Sequence, residues 1–432
     1  MKKVFLYIMF AAVGLGLQSC LHDNDEVFGQ SAAERINAAI SNAHEVLESA
    51  ENGWAFHYFV GEEYAFGATN LVAVFKDGKV TMYGQDEYDN NGEHYAITST
   101  YKLTRDQGPV LAFDTYNDLL HKLGDPAGAD APTDVDGWEA DYEFVIMNIS
   151  EDKNTIKLKG KKFNNIMTLE RLSVAPSEYL TTVEEVADVM AGNVMTYVSG
   201  ANDTVKAVTT DYEVTFTYND AEGKSKSVST PFYFTPAGIT FVNPVQVLDM
   251  TVPGLIYKEN SAEVPFANDP TKALLISTDI FDQFMNGNWY IDADNLSDYA
   301  KAGFMSFVNA CATKENELVN YCYLGTYTYQ AGTYFGLHFN SSGWLGAAAF
   351  DVAIADEEQQ LVTLTPTEYV LNGEYYAKND NFGDAIKIFS ATFKLEKDRV
   401  VSPKAFTLTD VNNPNNVIKL VKDYVGNPGH VQ

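Results

Sequence analysis

The strongest constraint on the fold is a hydrophobic pattern with a period of two that runs from Trp54 to Leu172. Alternation of apolar and polar residues over short segments is typical of β-strands with one buried face. Eight segments follow it: Trp54–Val60, Asn70–Lys76, Lys79–Gly84, Tyr95–Leu103, Val110–Phe113, Tyr142–Ile149, Thr155–Lys159 and Phe163–Leu172. The Asp77-Gly78 pair favours a tight hairpin turn. We therefore expect an eight-stranded antiparallel meander, either barrel-like or a sandwich.

A helix is predicted immediately before these strands. Ser31 and Glu34 have the spacing of a capping box, in which each residue bonds to the backbone of the other. Apolar residues recur at helical spacing through Ser31–Asn52, and Gly53 is a typical residue after a helix end. We expect this helix to cover one face or one end of the sheet.

The rest of the chain repeats these signals less clearly. A linker at residues 173–177 precedes a predicted helix, Glu178–Met190, and a further helix is predicted at Ser297–Ala312. Strand patterns fill most of the remaining length. The fold class is therefore mainly β with a few helices, with one or two further β-rich domains after the first. The predicted segments are 1–19 as a signal, 20–30 as a tether, and domains at 31–175, 176–285 and 286–432, of which the last two are either separate or one.

The first thirty residues have the layout of an export signal. Lys2 and Lys3 precede an uncharged apolar run, Val4–Leu17, which is shorter than the roughly 20 residues of a bilayer helix. The run ends in Leu17-Gln18-Ser19-Cys20, which resembles the lipobox of bacterial lipoproteins. The resemblance implies cleavage before Cys20, acylation of its thiol (palmitate and related chains) and attachment to outer-membrane lipid. The alternative is an ordinary secretory signal with an accidental cysteine.

The acidic segment Leu21–Glu26 extends this prediction to the cell surface. It resembles the surface-export signal of Bacteroidetes lipoproteins, and a solvated spacer is the alternative. The whole chain carries 59 acidic and 29 basic residues, a net charge of −30. Nucleic acids are therefore unsuitable partners, because phosphate contacts require clustered Lys and Arg. With 46% hydrophobic residues, the chain is too apolar to be disordered.

Two further cysteines and a group of acidic residues leave alternatives open. Cys311 and Cys322 either form a disulfide, as exported proteins often do, or are buried thiols. Asp130, Asp134 and Asp136 crowd one loop and either bind calcium or are solvated. No cofactor other than this calcium is expected. The sequence contains no nucleophile motif such as G-x-S-x-G, so an enzyme is the less favoured hypothesis.

Aromatic residues are the better candidates for ligand contact. Several tyrosines cluster around glycines between residues 321 and 334. Exposed Tyr and Trp rings combine an apolar face with a polar edge, which suits stacking on sugars or packing at interfaces. We select Trp138, Tyr327 and Tyr329 as ligand contacts, and expect Trp138 to be the most exposed tryptophan. The alternative places such rings in the core or in cross-strand pairs.

Several motifs of the first domain resemble an uncharacterised family of Bacteroidetes lipoproteins. They are Asn52-Gly53-Trp54, Tyr101-Lys102-Leu103, residues 107–117, His121 with Asp125-Pro126, residues 141–144 and residues 156–162. The resemblance implies an accessory protein of nutrient uptake that accompanies TonB-dependent transporters and SusD-like lipoproteins. We therefore expect a non-catalytic protein that binds extracellular glycan or peptide. A surface hydrolase and a structural or adhesive protein are the alternatives.

Overall fold

The protein is described from a computed structural model that covers residues 31–432, except 90, 107, 128–131, 134, 200–202, 211–212, 221, 330–331 and 432. These residues form 24 strands, and every pairing between neighbouring strands is antiparallel. The strands make three sheets, each of which closes into an eight-stranded barrel. The prediction of a mainly β protein with a few helices is confirmed, and the first eight strands form a barrel rather than a sandwich.

The first barrel contains β1 to β8 in sequential order, and pairing between β1 and β8 closes it. Its strands are Trp54–Phe59, Ala68–Lys76, Lys79–Tyr88, His94–Arg105, Pro109–Phe113, Glu143–Ile149, Thr155–Gly160 and Ile166–Arg171. Asp77 and Gly78 both have positive φ, 49° and 71°, between the paired Lys76 and Lys79. This is the backbone that a two-residue hairpin requires, and it explains the Asp-Gly pair.

The helix before this barrel spans Ala32–Glu48 and has the predicted capping box. The Ser31 backbone N–H donates to the Glu34 carboxylate over 2.9 Å, and the Ser31 hydroxyl accepts from the Glu34 N–H. The helix ends before Asn52, and its Ala43, Val46 and Leu47 are fully buried. Short helical turns follow later in this part of the chain, at Glu62–Tyr64, Asp118–His121 and Lys122–Gly124.

The second barrel contains β9 to β16 and follows the helix Pro176–Met190. Its strands are Val194–Ser199, Asp203–Thr209, Glu213–Asn219, Ser225–Thr235, Gly238–Val247, Met250–Ile256, Glu263–Phe266 and Asp269–Ile276. Strand β9 pairs with both β10 and β16, which closes the barrel. Val186, Val189 and Met190 from the helix share the core with residues of these strands.

The third barrel contains β17 to β24, closed by pairing between β17 and β24. Its strands are Trp289–Leu296, Val319–Tyr329, Gly332–Ser341, Trp344–Asp356, Leu361–Leu371, Thr392–Lys397, Ala405–Asp410 and Val417–Val421. The helical segments are Ile280–Met285, Asp298–Ala310, Cys311–Glu315, Gly373–Asn379 and Phe382–Phe389. Phe304, Phe307 and Phe382 from these helices pack with Phe339 of β19 in one core.

The chain divides into two compact units, Met1–Glu184 and Glu185–Gln432. The second unit contains both the second and the third barrel. Within it, Val401, from the segment between β22 and β23, is buried in the core of the second barrel. Across the described residues, no helix combines the length and the apolar character needed to cross a membrane.

Candidate functional site

A row of tyrosines lies on the outer surface of the third barrel. Side chains on strand β18 alternate between the two faces of the sheet. Cys322 and Leu324 belong to the buried core, so Tyr321, Tyr323 and Tyr327 lie on the outward side. The tyrosines that the sequence places around Gly325 therefore form a row of rings on the outer face of the sheet.

Six aromatic side chains form one connected group, which we call the tyrosine face: Tyr290, Tyr321, Tyr323, Tyr327, His338 and Tyr424. The ring centroid of Tyr290 lies 5.4 Å from that of Tyr424 and 5.5 Å from that of Tyr323. The centroid of Tyr321 lies 6.0 Å from that of Tyr424 and 6.2 Å from that of Tyr323. The centroid of His338 lies 5.0 Å from that of Tyr323 and 5.1 Å from that of Tyr327. All lie within the range of favourable ring contacts. One edge of the group is open, since Tyr424 is 62% exposed.

The tyrosine face is uncharged near neutral pH. Burial raises the pKa of Tyr290, Tyr321 and Tyr323, so these phenols keep their protons. Burial also lowers the pKa of His338 to about 4, because the charged imidazolium would lose its hydration. The face is thus neutral on a chain whose net charge is −30.

One buried polar atom of the face has no partner within the protein. His338 is 5% exposed, and its Nε2 makes no hydrogen bond in the part of the chain that the structure describes. The imidazole ring lines a hollow of about 20 Å³ together with Tyr321, Tyr323 and Tyr327. A buried polar atom without a partner is uncommon in proteins and calls for a physical explanation.

A larger cleft begins beside the tyrosine face, and Tyr290 lines it. The cleft has a volume of about 790 Å³ and lies between the second and third barrels, within one compact unit. Its polar side chains include those of Asp188, Asn193, Asp282, Asn286, Asn288 and Lys422. Pockets that bind small molecules usually measure about 300–1,000 Å³, so the cleft has room for several sugar units. Amide, carboxylate and ammonium groups are the groups that bind hydroxyls.

The structure places the three predicted ligand contacts differently. Tyr327 belongs to the tyrosine face and is half-buried. Tyr329, two residues further along β18, packs on the outer cluster of Ala347, Ala349 and Val370. Tyr329 is therefore mainly a packing residue, although it lies on the same strand as the tyrosines of the face.

Trp138 is less exposed than the sequence predicted. Its ring packs edge-on against Phe66, with centroids 5.8 Å apart, and its backbone N–H donates to the carbonyl of Leu123 over 2.7 Å. These contacts hold a loop of the first unit in place and leave the ring only partly exposed. The most exposed tryptophan is instead Trp344, at 60%. The prediction that Trp138 is the most exposed tryptophan is wrong.

Of the three aspartates predicted to bind calcium, the structure describes Asp136, and this residue pairs with a lysine. The Asp136 carboxylate accepts a hydrogen bond from the ammonium group of Lys162. Asp130 and Asp134 lie outside the described residues, as does Cys20. A different trio, Asp292, Asp294 and His430, brings three ligand atoms within 4.8 Å of one another.

The residues of this trio contact one another and a neighbouring lysine. His430 Nε2 lies 2.9 Å from an oxygen of Asp292, and Lys301 Nζ lies 2.8 Å from an oxygen of Asp294. A cation at this position would compete with the Lys301 ammonium group for Asp294.

Cys311 and Cys322 are free thiols in the structure, and both are buried. Both lie in the core of the third barrel, where burial raises the pKa of Cys311 to about 12 and shifts the pKa of Cys322 in the same direction. The structure thus has no bond between them, in contrast to the disulfide alternative. A thiol that keeps its proton is unreactive and packs as a small apolar residue.

Sequence reasoning missed half of the tyrosine face. Tyr290 and Tyr424 come from the beginning and the end of the third barrel, and only the closure of the barrel brings their rings together. His338 had a detectable signal, because the β18–β19 hairpin places it directly opposite Tyr323.

Two bacterial DNA polymerase subunits are among the solved structures to which this chain is similar. The β chain of DNA polymerase III from Streptococcus pneumoniae is 10% identical, with 90% of this chain and 98% of that chain covered and a TM-score of 0.12. The β subunit of DNA polymerase from Streptococcus pyogenes is 11% identical with the same coverage and a TM-score of 0.12. Scores this low carry no argument about fold or function. No curated protein matches the chain.

A family model does match. It covers residues 24–259, which reach from before the first barrel into the second and make up more than half of the chain. The expectation of an uncharacterised family is thereby confirmed. The chain belongs to the family described as Domain of unknown function (DUF4302).

Proposed function

We propose that this protein binds uncharged glycan through the tyrosine face and does not cleave it. The observation that carries the proposal is the connected group of neutral rings around the unpartnered Nε2 of His338. Tyrosine rings stack on the apolar faces of sugars while their hydroxyls remain available for hydrogen bonds. The 790 Å³ cleft beside Tyr290 would hold neighbouring sugar units.

Charge narrows the class of ligand. A chain with a net charge of −30 repels polyanions. Salt screens this repulsion beyond a distance of about 8–10 Å, so it acts on ligands close to the surface. Stacking requires no charged partner and is nearly independent of salt. Neutral polysaccharides therefore fit the protein better than uronic-acid polymers or acidic peptides.

The proposed setting is the cell surface. The lipobox ending in Cys20 and the acidic segment after it support a lipid-anchored outer-membrane protein that faces outward. The family resemblance supports a role as an accessory of a nutrient-uptake system, beside a TonB-dependent transporter or a SusD-like lipoprotein. In this role the protein would hold glycan near the transporter.

Binding is favoured over hydrolysis by the chemistry of the face. A glycosidase usually needs two carboxyl groups that flank the scissile bond. The six residues of the tyrosine face include no carboxylate, and of the two aspartates that line the adjoining cleft, Asp188 and Asp282, the first is paired with Lys404.

The test is titration of the chain carrying Cys20→Ser with soluble starch, xylan, yeast mannan and laminarin, beside polygalacturonate and casein peptides. We expect one neutral polysaccharide to bind. Tyr290→Ala and Tyr327→Ala should each weaken binding about fivefold, from roughly 1 kcal/mol per ring. Tyr299→Ala, which removes an exposed tyrosine outside the face, is the control. Unchanged binding in both face variants, or binding of peptides alone, would overturn the proposal.

The surface location has its own test. Cys20→Ser removes the only thiol that the lipobox offers for acylation, and the expected result is loss of the protein from the outer-membrane fraction. Retention of acyl chains on the variant would refute the anchor.

A further inference from the structure

His338 is held between two tyrosine rings on the outer face of the third barrel. Its ring stacks on Tyr323, with centroids 5.0 Å apart and planes at 24°, and approaches Tyr327 at 5.1 Å. The register of the β18–β19 hairpin places His338 directly opposite Tyr323. With both rings against it and 5% exposure, the imidazole has little freedom to turn.

The two ring nitrogens of His338 have different surroundings. The imidazole interacts with the backbone of Gly325, and this interaction favours the protonated form, as a carbonyl acceptor does. Because Nε2 has no partner, we assign this bond to Nδ1. A neutral imidazole that carries its proton on Nδ1 has a lone pair on Nε2. The unpartnered atom is therefore an acceptor.

The space next to the imidazole is small. The hollow lined by His338, Tyr321, Tyr323 and Tyr327 has a volume of about 20 Å³. About 10–15 Å³ is enough for one water molecule. The hollow therefore has room for one group of the size of a hydroxyl.

We propose that Nε2 of His338 accepts a hydrogen bond from a single free hydroxyl of the bound glycan, and that the tyrosine face thereby selects sugars with an unsubstituted hydroxyl at the edge of the stacked ring. This inference rests on the proposed function and specifies its ligand. In the unbound protein the hollow has room for one water molecule. In the complex the sugar hydroxyl replaces it and donates the same hydrogen bond.

The selectivity follows from the penalty for an unmet hydrogen bond. A ligand without a donor at this point would expel the water and leave Nε2 buried and unpaired, which lowers affinity. Sites that bond a substrate hydroxyl reject analogues without it much more strongly than apolar pockets reject a missing methylene. His338 is thus a specificity-determining residue, and the tyrosines supply most of the stacking.

The experiment compares two variants of the full chain with Cys20→Ser in each. His338→Phe keeps an aromatic ring and removes the acceptor, whereas His338→Gln keeps an acceptor oxygen. Starch, xylan, mannan and laminarin are each titrated in native and per-O-methylated form. For the native polysaccharide that binds, we expect about tenfold weaker binding to His338→Phe and partial recovery in His338→Gln. The methylated form should bind the parent chain and His338→Phe equally weakly.

A second measurement does not depend on the variants. In protein labelled with ¹⁵N at histidine, Nε2 of His338 should have the chemical shift of an unprotonated nitrogen and should move on addition of the native polysaccharide only. A protonated Nε2 in the unbound protein would overturn the inference. The inference would also be overturned if His338→Phe bound the native polysaccharide as tightly as the parent chain while Tyr327→Ala bound it more weakly. That result would leave the proposed function intact. Failure of every polysaccharide to bind the parent chain would instead remove the proposed function.

Discussion

The indole Nε1 of Trp54 donates a hydrogen bond to the carbonyl oxygen of Leu47 over 2.9 Å. Leu47 lies in the last turn of the helix Ala32–Glu48, and Trp54 begins strand β1. The bond therefore satisfies a carbonyl at the end of the helix, where the regular helical partners are missing. It also fixes the point at which the chain enters the first barrel.

The other two barrels begin with the same kind of junction. Trp289 Nε1, at the start of β17, donates to the carbonyl of Phe284 over 2.8 Å. Asn193 Nδ2, just before β9, donates to the carbonyl of Val189 over 2.6 Å. Three barrels thus share a helix, a side-chain donor and a first strand, although the donor changes from tryptophan to asparagine.

Trp54→Phe should destabilise the first barrel. The variant keeps an aromatic ring but loses the bond to Leu47 and the contact with the guanidinium of Arg171, which lies 4.6 Å from the indole centroid. We expect a loss of about 1–3 kcal/mol in the free energy of unfolding, measured with urea. Trp344→Phe, at an exposed tryptophan, should stay within about 0.5 kcal/mol. Equal effects of the two changes would contradict the role of the junction.

Residues 31–175 should fold without the rest of the chain. The fragment contains all eight strands of the first barrel, their closure through β1 and β8, and the helix with its capping box. We expect β-type circular dichroism and a cooperative thermal transition. A non-cooperative product that binds a hydrophobic dye would show that its core is incomplete.

A slightly longer fragment, 31–184, provides a comparison. Glu184 accepts hydrogen bonds from the Asp86 backbone N–H and from the Tyr88 hydroxyl, over 2.9 and 2.6 Å, and lies 2.9 Å from His94 Nε2. The longer fragment should be more stable by about 1 kcal/mol. Equal stability of the two fragments would mean that these bonds contribute nothing outside the full chain.

How much of this fold could be predicted depends on how regular the alternation is. The first barrel was predictable strand by strand, because few of its strands contain a helix or strand breaker. In the second barrel Pro253, Pro265 and Pro270 lie inside β14, β15 and β16, where proline normally argues against a strand. These prolines weaken the strand signal, and the sequence did not predict that the second β-rich domain is a barrel like the first.

The candidate site was predictable only where it is local in sequence. The tyrosines of β18 are two or four residues apart, so their shared face could be inferred. The contacts of Tyr290 and Tyr424 depend on barrel closure, and the missing partner of His338 Nε2 depends on burial. Neither property can be read from residue types alone.

Asp380→Asn should stabilise the protein at pH 7. Asp380 is fully buried, and neither carboxylate oxygen has a hydrogen-bond partner among the described residues. Burial, followed by the charge of Glu315, raises the pKa of this carboxyl. Because the carboxyl has a higher pKa in the folded protein than in the unfolded chain, the folded state is favoured at a pH below the unfolded pKa. This stabilisation is lost as the pH rises through the folded-state pKa. Asparagine has no such charge at any pH.

We expect Asp380→Asn to raise the free energy of unfolding by about 1–3 kcal/mol at pH 7, and the gain to shrink towards pH 4. Asp351→Asn, at an exposed aspartate on β20, is the matched control and should change little. Destabilisation by Asp380→Asn at pH 7 would indicate that the carboxylate has a charged or hydrogen-bonding partner in solution.

His338 should make the folded protein sensitive to acid. Its pKa is lowered by burial from 6.5 to about 4. Between these values the unfolded chain binds a proton that the folded chain does not, so the free energy of unfolding falls as pH decreases. The full contribution is about 3 kcal/mol, from about 1.4 kcal/mol per pKa unit. Only a difference between variants isolates it, because many carboxylates titrate in the same range.

The measurement is urea unfolding at pH values from 7 to 4 for the parent chain and for His338→Phe. Phenylalanine keeps the ring contacts with Tyr323 and Tyr327 but does not titrate, so the variant should gain stability relative to the parent as pH falls below about 6.5. His430→Phe, at an exposed histidine that pairs with Asp292, serves as the control and should show no such relative gain. A constant difference between His338→Phe and the parent across this range would mean that the imidazole is solvated and able to take up a proton in the folded state. Nε2 would then not be the buried acceptor on which the selection of a sugar hydroxyl depends.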